Sequence, residues 1–231
     1  ETGTQVSLIG VTRPHTGFNN DRFVLTLITN TSGETTTSAS VGLYRMDTTG
    51  SVGSTPVSTL TVPGDTRTAC LKTYGYKGPL GLGNFDHDQD SELVLFNRFY
   101  DIQLANDVPT LREIETGRGD LSGVCALPMG PRVDGFGRST THKDAIKIAD
   151  FTGNGTHEIL VGKEMYSLTG SSYARSTVAS SPLPGPGFSG NTGQLVASDY
   201  IVGDINGDGI DDIAWHYRGR GSNGSGAWRH L

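Results

Sequence analysis

The sequence is short of cysteine, of charge and of any long apolar run. Only two cysteines occur, Cys70 and Cys125. Neither lies in a C-x-x-C and no histidine cluster accompanies them, which excludes a zinc site. Charged residues make up 18% of the chain, too few for a helical bundle built on Glu and Lys. No stretch approaches the roughly 20 apolar residues of a membrane-spanning helix. Basic charge is also scarce. Lys and Arg total 18 against 24 Asp and Glu, for a net charge of −6, and nucleic acid is a poor partner for such a chain. No leader is visible, and Glu1-Thr2-Gly3-Thr4 reads as a mature terminus or the remnant of a vector. The histidines, His15, His87, His142, His157, His216 and His230, fall in no Ser/His/Asp or metal spacing, and no G-x-S-x-G elbow occurs. His87 and His157 read as exposed loop residues. The expectation is a chain with no enzymatic activity of its own.

Glycine, in contrast, is plentiful at 33 residues. Short runs rich in β-branched and aromatic residues recur between Gly, Pro, Asn, Asp and Ser, among them Phe23–Ile28, Glu92–Phe96, Glu158–Val161 and Asp212–Tyr217. Few windows keep a helical period. The fold class is therefore read as all-β.

An internal repeat sharpens that reading. Three segments align in register, at Asn84–Glu92, Asp150–Glu158 and Asp204–Asp212. Each is preceded and followed by an apolar strand. They recur at intervals of roughly 60 residues, a little long for a four-stranded propeller blade. Strands are expected at Gly81–Phe85, Glu92–Phe96, Tyr100–Leu104 and Leu111–Glu115 in one unit. The next unit has Ala145–Phe151, Glu158–Gly162, Met165–Leu168 and Tyr173–Ala179. The segments Pro128–Gly137 and Pro182–Gly193 read as joints between units. Residues 6–62 read as a first unit whose loop, Arg13–Arg22, keeps a single carboxylate, Asp21.

The loops carry the chemistry of a calcium site. Calcium takes six to eight oxygens, and alternating carboxylate or amide side chains in a tight turn supply them. In the last loop the donors are Asp204, Asn206, Asp208, the Ile210 carbonyl and Asp212, with Gly207 and Gly209 allowing left-handed backbone. In the first they are Asn84, Asp86, Asp88, the Asp90 carbonyl and Glu92. In the middle they are Asp150, Thr152, Asn154, the Thr156 carbonyl and Glu158. Up to three Ca2+ ions follow. Asp204–Asp212 and Asn84–Glu92 each offer three side-chain carboxylates and Asp150–Glu158 two, so the middle loop should bind weakest. Asp204–Asp212, which keeps its turn glycines where Asn84–Glu92 has Gln89, is expected to be the firmest site. An EF-hand is excluded because its bidentate Glu would fall on Leu95, Val161 or Trp215.

The run Asp204-Ile205-Asn206-Gly207-Asp208-Gly209-Ile210-Asp211-Asp212 resembles the FG-GAP repeat of integrin α-subunit propellers. It is similar also to repeats in bacterial surface proteins, fungal lectins and the accessory domain of a phospholipase. Gly135-Phe136-Gly137 and Gly187-Phe188 stand where that family often carries Phe-Gly. The resemblance covers roughly residues 75–231, and the first loop departs from it with Asn84 and Gln89, the middle one with Thr152. It implies an FG-GAP/integrin-like β-propeller of four-stranded blades, occupying 1–231 with approximate blades 5–65, 70–120, 140–182 and 194–231, the last incomplete. Calcium would sit on one face, and protein or sugar would bind elsewhere. With about four blades a ring stays open, so closure would need further blades, a second chain, or the N-terminal strand lent to the last blade.

The implied role is an extracellular, calcium-stabilised recognition or adhesion module binding a protein partner. A lectin-type propeller and a non-catalytic accessory propeller of a secreted hydrolase are the alternatives. Two cysteines of an exported chain usually pair, whereas in a cytosolic chain they would remain buried thiols. The sequons at Asn30 and Asn223 favour export and thus a Cys70–Cys125 disulfide. A third sequon, at Asn154, lies inside a metal loop and is expected to stay unmodified. Arg118-Gly119-Asp120 is a candidate integrin-binding tripeptide. Trp215 and Trp228 read as strand packing or as sugar-stacking platforms.

Overall fold

The computed structural model describes residues 2–14, 21–33, 35–72, 75–76, 78–88, 90–106, 108–114, 119–126, 132–133, 139–140, 146–161, 164–177 and 196–218. The described chain is mostly strand, as the sequence leads one to expect. The first sheet joins β1 (Thr2–Thr12), β2 (Arg22–Ser32), β3 (Thr35–Met46) and β4 (Ser58–Thr61) in chain order. A short helix, α1 (Gly64–Cys70), and a small ladder of β5 (Leu71–Lys72) with β6 (Gly75–Tyr76) follow. The second sheet joins β7 (Leu80–Gly83), β8 (Glu92–Leu95), β9 (Arg98–Ala105) and β10 (Val108–Glu113), again in chain order. A 3-10 helix, Gly119–Ala126, and the ladder of β11 (Arg132–Val133) with β12 (Ser139–Thr140) lead onward.

The third sheet joins β13 (Ile146–Ala149), β14 (Glu158–Val161), β15 (Glu164–Thr169) and β16 (Ser172–Thr177). The last ladder pairs β17 (Val196–Gly203) with β18 (Asp212–Arg218). All strand pairs between sequence neighbours are antiparallel. Each sheet is an up-and-down meander, so every connection is local. β1 keeps its own sheet and pairs with β2, and no strand of the last ladder pairs with it among the described residues.

Burial patterns show how the sheets are layered. Phe23, Leu25 and Leu27 of β2 alternate with less buried neighbours, the period-two signature of a sheet covered on one face. β8 and β14 are buried at every position, as a central strand covered on both faces must be. The first strands of the meanders lie side by side, β7 between β1 and β13, and β13 beside β17. Glycine permits the close approach. A Cβ on Gly10 would come within 2.8 Å of Leu82 Cδ1, and one on Gly81 within 2.6 Å of Ile148 Cδ1. β1 and β7 thus each offer a notch to the next sheet, which Leu82 and Ile148 respectively fill as knobs. One continuous core results, with Leu25 and Leu43 from the first sheet, Leu93 and Phe99 from the second, and Ile159 and Tyr166 from the third.

Two elements that strand-pattern reading does not anticipate close the core. Cys70 at the end of α1 is disulfide-bonded to Cys125 in the 3-10 helix, the pairing expected from the sequons. Arg98, from β9, reaches α1 through Asp65 at 2.9 Å and Thr66 Oγ1 at 3.0 Å, and also binds Glu113 at 2.7 Å.

Candidate metal centre

Three hairpins carry the repeated loops, and each closes on an equivalent Cα pair. Gly83 faces Glu92, Ala149 faces Glu158, and Gly203 faces Asp212. Sequence register therefore becomes spatial register, and the last carboxylate of each loop stands at the mouth of a hairpin. That carboxylate accepts the backbone N–H of the second loop residue every time, Phe85 to Glu92 at 2.5 Å, Phe151 to Glu158, and Ile205 to Asp212 at 3.1 Å. The central side chain also repeats its role. Asp88, Asn154 and Asp208 accept the N–H two residues on, from Asp90, Thr156 and Ile210, at 2.7, 2.7 and 2.9 Å. Gly207 and Gly209 take φ of 83° and 86°, the left-handed turn those loop positions require.

Within this common frame the loops differ in what converges. Asp86, Asp88 and Glu92 bring three carboxylate oxygens within 4.8 Å of one another, the sole such grouping among the described residues. Glu92 is 1% exposed, and its Oε1 is buried without a hydrogen-bond partner. A buried carboxylate oxygen without a donor is costly unless a cation meets it. Desolvation by burial pushes the Glu92 carboxyl up to about 9, and the charges of Asp86 and Asp88 add to that rise against the opposing Phe85 hydrogen bond. Asp86 is raised as well, chiefly by desolvation. This donor set fits a hard cation. The side-chain oxygens of Asn84, Asp86, Asp88 and Glu92 and the Asp90 carbonyl are the groups that would hold it.

In the middle loop, Asp150 accepts the N–H groups of Asn154 and Gly155 at 3.0 and 2.9 Å, and Thr152 Oγ1 donates to Glu158 Oε1 at 2.9 Å. Glu158 is fully buried, its Oε2 has no partner, and desolvation raises its carboxyl. The hydroxyl of Thr156 donates to Asn154 Oδ1 at 2.6 Å, so the sequon's own threonine is tied to its asparagine. In the last loop, Asp204 accepts from Gly207, Asp208 and Gly209 at 2.6 to 3.1 Å, and Asn206 accepts from Asp208. The carboxylates of Asp204, Asp208 and Asp212 are turned to the loop's own backbone. In the first sheet, residues 15–20 of the corresponding loop lie outside the described residues, and Phe23 faces Thr12 at the hairpin mouth. Phe23 is fully buried, and Asp21 pairs with Arg45 at 3.2 Å.

Adjacent loops touch, which the linear motif does not reveal. Asn84 N–H donates to His157 Nδ1 at 3.1 Å, and His157 N–H donates back to Asn84 O at 2.7 Å. The pattern recurs one sheet on. Asp150 N–H donates to Asp211 Oδ2 at 3.1 Å, and Asp211 N–H to Asp150 O at 3.0 Å. His157 is thus a half-buried bridge between sheets, not the exposed loop residue its polar surroundings suggest. Below it, Tyr173 donates to His157 O at 3.0 Å and packs on Phe99, with centroids 4.9 Å apart.

The other sequence candidates are placed as follows. Asp120 of the RGD tripeptide accepts the Arg175 N–H of β16 at 2.9 Å, and Arg118 lies outside the described residues. Asn30 sits inside β2, where its amide donates to Ser38 Oγ and accepts from Thr4 Oγ1, each at 2.8 Å. Asn223, Trp228 and Gln89 lie outside the described residues, as does the side chain of Trp215. In comparisons with known proteins, no family model, curated protein or solved structure matches the chain.

Proposed function

We propose that the chain is part of a calcium-stabilised β-propeller of the FG-GAP type that serves extracellular recognition, with the second and third sheets as complete blades. The observation carrying the metal reading is Glu92. Its buried, unpartnered Oε1 lies with Asp86 and Asp88 in a loop whose hydrogen-bonded frame occurs three times. Calcium suits an all-oxygen set with two or three carboxylates better than zinc, which favours His and Cys. The bound ion supplies positive charge to a hairpin mouth that otherwise confines several carboxylates. The blade reading draws support from three meanders of the same topology whose first strands pack side by side.

Support for a recognition role is compositional and topological. The disulfide suits an oxidising compartment, and no helix among the described residues is long and apolar enough to cross a membrane. Val6, Leu8 and Val11 leave a free apolar stripe on β1. Val11 stands at the register where Leu82 and Ile148 fill a neighbour's notch, so further blades or a second chain would cover it. Calorimetric titration of calcium into chain stripped with EGTA tests the metal. The expected result is saturable binding that Glu92→Gln weakens at least tenfold. Heat indistinguishable from dilution at millimolar calcium would refute it.

A further inference from the structure

The reciprocal bonds between neighbouring loops join positions that a metal would order. Asn84 is the first residue of its loop, and His157 immediately precedes Glu158, the last of the next. The same two positions meet at Asp150 and Asp211. In both cases one N–H of the earlier loop ends on a side-chain acceptor of the later loop, and the later loop's N–H returns to the carbonyl. A third contact, Asn84 Nδ2 to Gly155 O at 3.0 Å, adds the side chain of the first candidate ligand. Neither His157 nor Asp211 belongs to the donor sets themselves. Their geometry fixes the first residue of the preceding loop instead.

We infer that the metal loops are coupled in series, in which filling the middle loop organises Asn84–Glu92 through His157, and filling the last loop organises Asp150–Glu158 through Asp211. This rests on the metal reading above. The energetic logic is pre-organisation. A loop whose first residue is already held loses less conformational freedom on binding, so the second ion binds more tightly than it would alone. Glu158 and Asp212 are more than nine-tenths buried at the hairpin mouths. An ion drawing on either carboxylate would restrain the residue just before it, which is the residue that holds the neighbour. Linkage makes the effect reciprocal in free energy.

The test uses the whole chain, with its disulfide, titrated with calcium from an EGTA-treated state. Binding at the first loop is read from the amide resonances of Asp86, Asp88 and Asp90. In the wild type, Glu158→Gln should weaken calcium binding at the first loop about five- to tenfold, the low end of coupling between linked sites. In a His157→Ala background the same substitution should change it by about twofold or less. His157→Asn offers a side-chain oxygen acceptor as Asp211 does, and should restore the effect. Asp211→Ala against Asp211→Asn repeats the comparison at the middle loop, so one misfolded variant does not decide the outcome. If calcium binds but the first loop ignores Glu158→Gln, and the middle loop ignores Asp211→Ala, the coupling is wrong and the metal reading survives. If no resonance in any loop responds to calcium, the metal reading itself fails and the coupling falls with it.

Discussion

Replacing Glu92 by Gln should make the metal-free chain less sensitive to pH while weakening the response of its loop to calcium at least tenfold. The reasoning starts from burial. Glu92 is 1% exposed with one oxygen unpartnered, and desolvation lifts its carboxyl to about 9 from an ordinary 4.5. The native state then holds a proton that the unfolded chain releases near 4.5. Native-state proton binding exceeds that of the unfolded state throughout the window from 4.5 to 9, so stability falls as pH rises through it. One such proton is worth about 1.4 kcal/mol per pH unit, giving a loss of about 3 kcal/mol between pH 5 and pH 7. Gln has no proton to lose and keeps a carbonyl for the Phe85 N–H. The contribution of Glu158, raised in the same direction, cancels in the difference. Urea unfolding at pH 5, 6, 7 and 8 in EGTA should therefore show the wild type losing ground to Glu92→Gln as pH rises. Saturating calcium favours the ionised carboxylate and should reverse that trend in the wild type alone. Parallel stability curves for the two proteins in EGTA would refute the assignment of a desolvated, buried carboxyl.

Other perturbations follow from the packing. Cys70→Ser with Cys125→Ser opens a link across a sequence separation of 55 and should cost about 4 kcal/mol on the chain-entropy account, read from urea midpoints without reductant. Gly81→Val drives a side chain into Ile148 and should cost about 1–3 kcal/mol, part of which Ile148→Ala recovers in the double variant. Tyr173→Phe removes the hydroxyl that serves His157 O and should cost about 1 kcal/mol, with faster exchange of the amides around His157. At ten times the dissociation constant of one site, calcium should add about 1.4 kcal/mol by mass action, visible as a rise in melting temperature that EDTA reverses.

Strand positions were legible in the sequence because their signal is local. Gly83, Ala149 and Gly203 open the three loops at the same offset from Glu92, Glu158 and Asp212. Aligned residues alone therefore locate the hairpins. The expected strand at Leu111–Glu115 lies at Val108–Glu113, and that at Tyr173–Ala179 begins at Ser172. α1 was not legible, because Gly64–Cys70 is too short to show a helical period and is held by Arg98 and the disulfide. Side-chain direction escaped the motif as well. Carboxylates together with turn glycines favour Asp204–Asp212, yet Asp204 serves its own loop's N–H groups, while the oxygens that converge belong to Asp86, Asp88 and Glu92. The bridge from Asn84 to His157 spans two repeats, and no single-repeat pattern encodes a contact between repeats.

The notch at Gly10 and Gly81 gives the stack a sense of direction. A sheet receives a knob on one side and presents one on the other, so its two faces are not interchangeable. Contacts of this kind are heterologous: repeated, they run on as an open series or return to their start as a ring. A two-fold pairing through β1 would set Val11 against Val11, knob against knob, and leave no glycine to receive either. Assembly partners can therefore be sorted by a single residue, according to whether they bring a cleft for Val11 or another bulge.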